Sequence, residues 1–188
     1  ETTKMPSLDI NNFRASLLAD GARPNLFQVT MQFPAGLVTD GLPASRQLTF
    51  LCHTAQLPGS TLGQVPLQYM GREVKIAGNR TFQDWAINVY NDEYFLTRRA
   101  FEQWMAAINT HTTNLRAGNA RNSLAYGVDA KVDQLAKTGE VLKTYNFIGT
   151  WPTDLSPIDV SWGSNDSLEE YTVTLAYQYW TDAKSGVR

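Results

Sequence analysis

Few side chains in this sequence are suited to chemistry. His53 and His111 are its only histidines, and Cys52 is its only cysteine. Cys52 directly precedes His53, which offers a nucleophile beside a base, but the stretch LTFLCHTAQL alternates like a β-strand. Adjacent strand residues point to opposite faces, so the thiol and the imidazole are not expected to share a proton. His111 falls in the polar run THTTNLRAGNARNS and is expected to be exposed. Asp129 and Asp133 share a face of the alternating stretch YGVDAKVDQL. At about 3.3 Å per residue they stand roughly 13 Å apart. That exceeds the about 5 to 9.5 Å between paired glycosidase carboxylates, so a solvated sheet face is expected instead. Neither a phosphate-cradling Gly-rich loop, a GxSxG elbow nor an HExxH helix occurs. These patterns assign no catalytic, cofactor-binding or metal-ligating residue.

The composition narrows the class. The chain has 188 residues, 43% of them hydrophobic, which is enough for one well-packed domain spanning 1–188. A net charge of −2 supplies no basic field that would hold nucleic acid by counterion release. A single cysteine leaves no intramolecular disulfide framework. No leader-like start and no run of about 18 apolar residues is present, so a soluble protein made in a cytoplasm, without a membrane partner, is expected.

The elements are read from periodicity. NLFQVTMQF sets Phe27, Val29, Met31 and Phe33 on one strand face. Residues 34–47, with Pro34, Gly36, Gly41 and Pro43, read as a loop excursion, and Leu48, Phe50 and Cys52 then align on a strand. Residues 60–79 read as a hairpin turning near Met70 to Arg72 and standing out from the core. DWAINVYND is a strand with Trp85, Ile87 and Val89 toward the core. Asn91-Asp92 then caps a helix over residues 92–109, whose stripe is Tyr94, Phe101, Trp104, Met105 and Ile108. Further strands are expected around Tyr145 to Trp151, over Ile158, Val160 and Trp162, and at the end, where Tyr171, Val173, Leu175, Tyr177 and Tyr179 share a face. About eight strands and one convincing helix predict a mainly antiparallel β-sandwich or barrel with a flanking helix.

Two further features bear on function. Five tryptophans and eight tyrosines could furnish a sugar-binding face, but most are in phase with aliphatic residues, which core packing explains more simply. The interval between Lys143 and Lys184 contains no lysine or arginine, yet it holds Asp154, Asp159, Asp166, Glu169, Glu170 and Asp182. A solvated edge accounts for this, and so does a head-to-tail assembly that uses the asymmetry.

AGNRTFQDWAINVYNDE, the preceding YMGREVKI, the later FIGTWPTDLSPIDVSW and EEYTVTLAYQYW, and ARPNLFQV near the start together resemble the tail tube proteins of T4-like contractile-tailed bacteriophages. The resemblance runs in order through most of the chain and weakens over Pro34 to Gln47 and Thr110 to Ala125. It implies a structural subunit and no enzyme. Six subunits would close into a ring with a continuous inner β-barrel, and rings would stack into a hollow conduit for genome ejection. It further implies a virion localisation, a tail sheath protein outside the tube, a tape measure protein, baseplate and tube-terminating proteins, and DNA passing without specific binding. The alternatives are a tube initiator at the baseplate junction, a type VI secretion-like ring of the same fold, and, from other classes, a carbohydrate-binding β-sandwich or a small hydrolase. On this reading the subunit or ring contacts are Gln64, Gln68, Tyr69, Met70, Arg72, Glu73, Lys75, Arg80, Glu169 and Glu170. Arg80 is a candidate partner for the acidic section, within or between subunits. Trp85, Ile87, Val89, Phe101, Trp104, Tyr171, Val173 and Leu175 would form the core.

Overall fold

A computed structural model describes residues 10–17 and 21–183. In chain order the elements are α1 (Ile10–Ser16), β1 (Phe27–Met31), α2 (Gly41–Leu51), β2 (Cys52–Ala55), β3 (Ser60–Tyr69), β4 (Arg72–Phe82), β5 (Trp85–Tyr90), α3 (Leu96–Ile108), α4 (Ser123–Tyr126), β6 (Val128–Leu135), β7 (Val141–Leu155), β8 (Glu170–Ala176) and β9 (Tyr179–Ala183). All the strand pairings are antiparallel. The order is β1-β6-β7-β8-β5-β2, with β9 also on β7, and β3-β4 forms a separate two-stranded sheet.

The long strand β7 belongs to two sheets. Thr144 to Ile148 pair with β9 and, over most of their length, with β6, whereas Trp151 to Leu155 pair with β8. Between them Gly149 adopts φ 65°, and a Cβ there would lie 3.2 Å from Gln178 Cγ. A glycine takes this left-handed conformation without steric penalty, so the strand can change partners at that point. The Gly149 N–H donates to Asp129 Oδ1 at 3.1 Å, which gives that aspartate a structural task.

The alternation of WAINVY is realised as burial. Trp85, Ile87 and Val89 are buried and face the core together with Tyr171, Val173 and Leu175 from β8, their register partners being Leu175, Val173 and Tyr171 in turn. Trp85 stacks on Phe147 with ring centroids 4.2 Å apart. Helix α3 closes the core from one side through Ala100, Phe101 and Trp104, with Phe33 packed edge-on against both rings.

Several expectations are corrected. Residues 34–47 are not wholly a loop, because α2 begins at Gly41 and runs through Leu48 and Phe50. Pro43 lies in its first turn, where no intrahelical N–H bond is lost. Ala44, Ser45 and Leu48 then recur at helical spacing and are buried, while the Ser45 hydroxyl donates to Gly41 O at 2.7 Å and accepts from Phe33 N–H at 3.0 Å. Phe50, which the strand reading aligned with Leu48 and Cys52, is 84% exposed while those two are buried. Helix α3 starts at Leu96 rather than at 92, although Asp92 Oδ1 does accept the Leu96 N–H at 3.0 Å. Tyr94 therefore precedes the helix and is exposed.

The segment carrying Ile158, Val160 and Trp162 is irregular rather than a strand. The chain breaks at Tyr177 and Gln178, so Tyr179 opens a different strand from Tyr171 and is exposed. Asp133 is buried rather than solvated: Lys131 Nζ approaches its Oδ2 to 3.0 Å and the Thr144 hydroxyl donates to its Oδ1.

Candidate assembly surfaces

The β3-β4 hairpin departs from the body and exposes nearly all of its length. Its register places Val65 opposite Ile76, Leu67 opposite Val74 and Tyr69 opposite Arg72, and on the other face Gln64 opposite Ala77, Pro66 opposite Lys75 and Gln68 opposite Glu73. The two-stranded sheet is thus amphipathic, with an apolar face of Val65, Leu67, Tyr69, Val74 and Ile76 that is about half exposed. At the tip, Met70 and Gly71 take φ 45° and 79°, the two positive values that a type I′ turn requires. Methionine is an uncommon residue in that conformation, and its side chain is 89% exposed. A lone hairpin is marginally stable in water, so such a face calls for another surface.

Of the residues predicted to make contacts, Gln64, Gln68, Tyr69, Met70, Arg72, Glu73, Lys75 and Arg80 are gathered on this hairpin. Glu169 and Glu170 are not near it in register, because Glu170 begins β8 at the end opposite Leu175 and Glu169 directly precedes it. They are tied within the subunit: Asn91 Nδ2 donates to Glu169 Oε2 at 2.8 Å, and Glu170 Oε2 stands 3.1 Å from His53 Nε2. Arg80 reaches Ser60 Oγ at 3.5 Å and meets no carboxylate among the described residues.

Two exposed apolar patches went unnoticed in the sequence. One is a cleft lined by Pro43, Phe50, Tyr94 and Leu96. It depended on recognising α2, which the glycines and prolines concealed. The other is the loop between β7 and β8, where Val160 and Leu168 are 81% and 73% exposed and Trp162 is fully exposed. The signal for it was available in the serine, glycine and asparagine that interrupt the alternation after Trp162. Among the described residues, the outer strands β1, β2 and β9 each pair on one side only.

The nucleophile-and-base reading of Cys52 and His53 finds no geometry. Cys52 is buried, and its thiol is held to the Thr54 carbonyl at 3.5 Å. His53 instead stacks on Tyr90 at 4.0 Å and reaches the Thr54 hydroxyl at 3.1 Å. Burial pushes the Cys52 thiol up from 9.0 to about 12. Since the folded pKa is the raised one, the associated stability is complete below about pH 9 and is lost as pH rises toward 12. Chemical denaturation between those values should show stability falling by up to roughly 1.4 kcal/mol per pH unit from this group. Cys52→Ala should flatten that slope, and an unchanged slope would mean that the thiol is not desolvated. His111 lies in the loop after α3 and is exposed. A groove of about 620 Å³ lined from β1, β6, β7 and β9, past Lys131, Asn146 and Thr181, carries no nucleophile paired with a base. No cluster of three metal-ligating side chains exists among the described residues.

The family model and the sequence relatives agree on one family, and the solved structures show its fold. The model of the family described as phage tail tube protein matches residues 22–183. The tail tube protein gp19 of Enterobacteria phage T4 is 32% identical over 168 residues, covering 89% of this chain and 95% of that protein. The tail tube protein of Serratia phage KSP90 is 26% identical over 170 residues, covering 89% and 93%. Among solved structures, the anti-feeding prophage tube-terminating cap superposes with a TM-score of 0.61 at 16% identity, over 87% of this chain and 91% of that one. A chain of the PVC sheath-tube complex, an extracellular contractile injection system in its extended state, gives 0.57 at 14% identity, over 90% and 97%. The fold is that of contractile-tube assemblies, and the chain belongs to the phage tail tube protein family.

Proposed function

We propose that six copies of this chain close into a ring, that rings stack through the β3-β4 hairpin, and that the stack forms the hollow conduit of a contractile tail. As a tail tube protein the chain is a structural component of the virion tail. The observation that carries the ring-and-stack reading is the hairpin itself, an amphipathic sheet whose apolar face is left about half exposed by the described residues of its own subunit. The one-sided strands β1, β2 and β9 support closure, because joining sheets edge to edge around a ring removes exposed edges.

A net charge of −2 suits a lumen through which DNA slides without being held. The sheath would pack outside the tube, a tape measure protein would occupy it before ejection, and baseplate and terminating proteins would close its ends. Assembly would take place in the cytoplasm of the host bacterium, and the subunit would carry no catalytic activity. Sequence relatives that are themselves tail tube proteins favour a tube subunit over an initiating or capping ring.

Reversal of an exposed hairpin charge tests stacking without touching the core. Arg72→Glu or Lys75→Glu should leave thermal melting unchanged while raising the protein concentration needed for tubes, as measured by sedimentation. Tubes forming at the wild-type threshold would remove the hairpin from the contact.

A further inference from the structure

We infer that the hairpin of one copy seats on the β7-β8 loop of the next, with Trp162 as the anchor and the acidic Asp159 and Asp166 drawn to the basic hairpin, whose Arg72 lies on the apolar face and Lys75 on the reverse face of the same narrow ribbon. This rests on the stacking role proposed above and names the surface that receives the hairpin.

Topology supplies the first argument. The hairpin is rooted at one end of the β5-β8 pair: β4 ends at Phe82, three residues before Trp85, and Phe82 lies 6.1 Å from the Tyr177 ring just beyond β8. The β7-β8 loop lies at the other end, where Tyr90 pairs with Glu170. Five residue steps along the strands separate the two ends by about 17 Å. Features at opposite ends of one subunit cannot satisfy each other within it. They can do so in a repeating head-to-tail contact, the kind that builds rings and filaments.

Chemistry supplies the second. The hairpin, residues 60–82, carries Arg72, Lys75 and Arg80 against Glu73 alone. Residues 154–170 carry Asp154, Asp159, Asp166, Glu169 and Glu170 and no basic side chain. Glu169 and Glu170 are already engaged by Asn91 and His53, whereas Asp159 and Asp166 have no basic partner among the described residues. A cleft of about 440 Å³ within the loop is lined by Asp159, Val160 and Leu168. The cleft is largely polar, lined also by Ser161, Ser164 and Ser167, while Val160, Trp162 and Leu168 are the exposed apolar side chains of the loop. The loop thus offers apolar side chains beside acidic ones and the hairpin offers an apolar face on a basic ribbon, the mix of apolar contact and complementary charge that interfaces use. A fully exposed tryptophan fits the anchor, since tryptophan is enriched among residues that dominate binding.

The test is assembly by purified full-length protein, read by sedimentation and electron microscopy, with melting as a control. Trp162→Ala should raise the threshold concentration for tubes by at least about tenfold at unchanged melting temperature. Asp159→Lys with Asp166→Lys should fail similarly, as should Arg72→Glu with Lys75→Glu. All four reversals in one chain should recover most of the loss. If the hairpin reversals fail while the loop variants assemble normally, or if the combined chain is not rescued, the hairpin stacks on another surface and the inference is wrong. If every variant assembles like wild type, the stacking role of the hairpin is wrong as well. Should a reversal unfold the chain, oxidation of a Met70→Cys, Ser161→Cys double variant decides: a ladder of crosslinked oligomers supports the contact, and monomer alone refutes it.

Discussion

Trp85→Ala should unfold the subunit or bring it to the edge of unfolding. The indole is 2% exposed, stacks on Phe147 at 4.2 Å, and its N–H donates to the Gln56 carbonyl at 2.9 Å. Truncation removes the largest buried side chain of β5, leaves a cavity between the two sheets and orphans a partly buried carbonyl. Losses of about 3 to 5 kcal/mol are typical of such aromatic deletions. A domain of this size has only about 5 to 15 kcal/mol in total, so a fall of that size removes most of its margin. Equilibrium denaturation measures it directly. Trp162→Ala is the internal control, because the same residue type with its side chain in water should leave stability unchanged. Wild-type stability in Trp85→Ala would mean that the phase of β5 is misassigned.

The second large effect is expected on assembly alone. Leu67 and Val74 face each other across the hairpin, each 49% exposed. Leu67→Asp with Val74→Asp should abolish tubes while the monomer melts as before. The body of the protein packs around β5, β7, β8 and α3, and the hairpin contributes none of its buried core. Two carboxylates placed in a contact that must close over them would each cost several kcal/mol to desolvate. Size-exclusion chromatography should therefore show a folded monomer at concentrations where the wild type forms large particles. Tubes from the double variant would show that the apolar face stays in solvent after assembly.

Where one strand face is buried and the other is not, the sequence was legible. Trp85, Ile87 and Val89, and Tyr171, Val173 and Leu175, all lie where period-two alternation puts them. The hairpin was equally visible, because the alternation on each side meets at Met70-Gly71 with no other turn available. Periodicity misled wherever burial was set by something other than a half-covered sheet. In α2 the apolar spacing of Ala44, Ser45 and Leu48 is helical, but Gly41 and Pro43 obscure it, and Leu48, Phe50 and Cys52 mimic a strand by chance. Val160 and Trp162 alternate as a strand would yet sit in a loop, since no neighbouring strand is placed to pair with them. Asp133 is buried because Lys131 and Thr144 satisfy it, a condition that depends on strand pairing and not on its own neighbours in the chain. The candidate contact surface was half legible for the same reason. Its hairpin is a local pattern, whereas the loop opposite was signalled only by the Gly163, Ser164 and Asn165 that break the alternation, and its role as a surface shows in the full exposure of Trp162.

The central claim is that this chain builds a hollow tube from stacked rings. Negative-stain electron microscopy of the purified protein, over a range of concentration and salt, tests it most directly. Rings and hollow tubes that grow with concentration are the expected result. A protein that stays monomeric throughout, even when seeded with a baseplate or preformed tube ends, would contradict it.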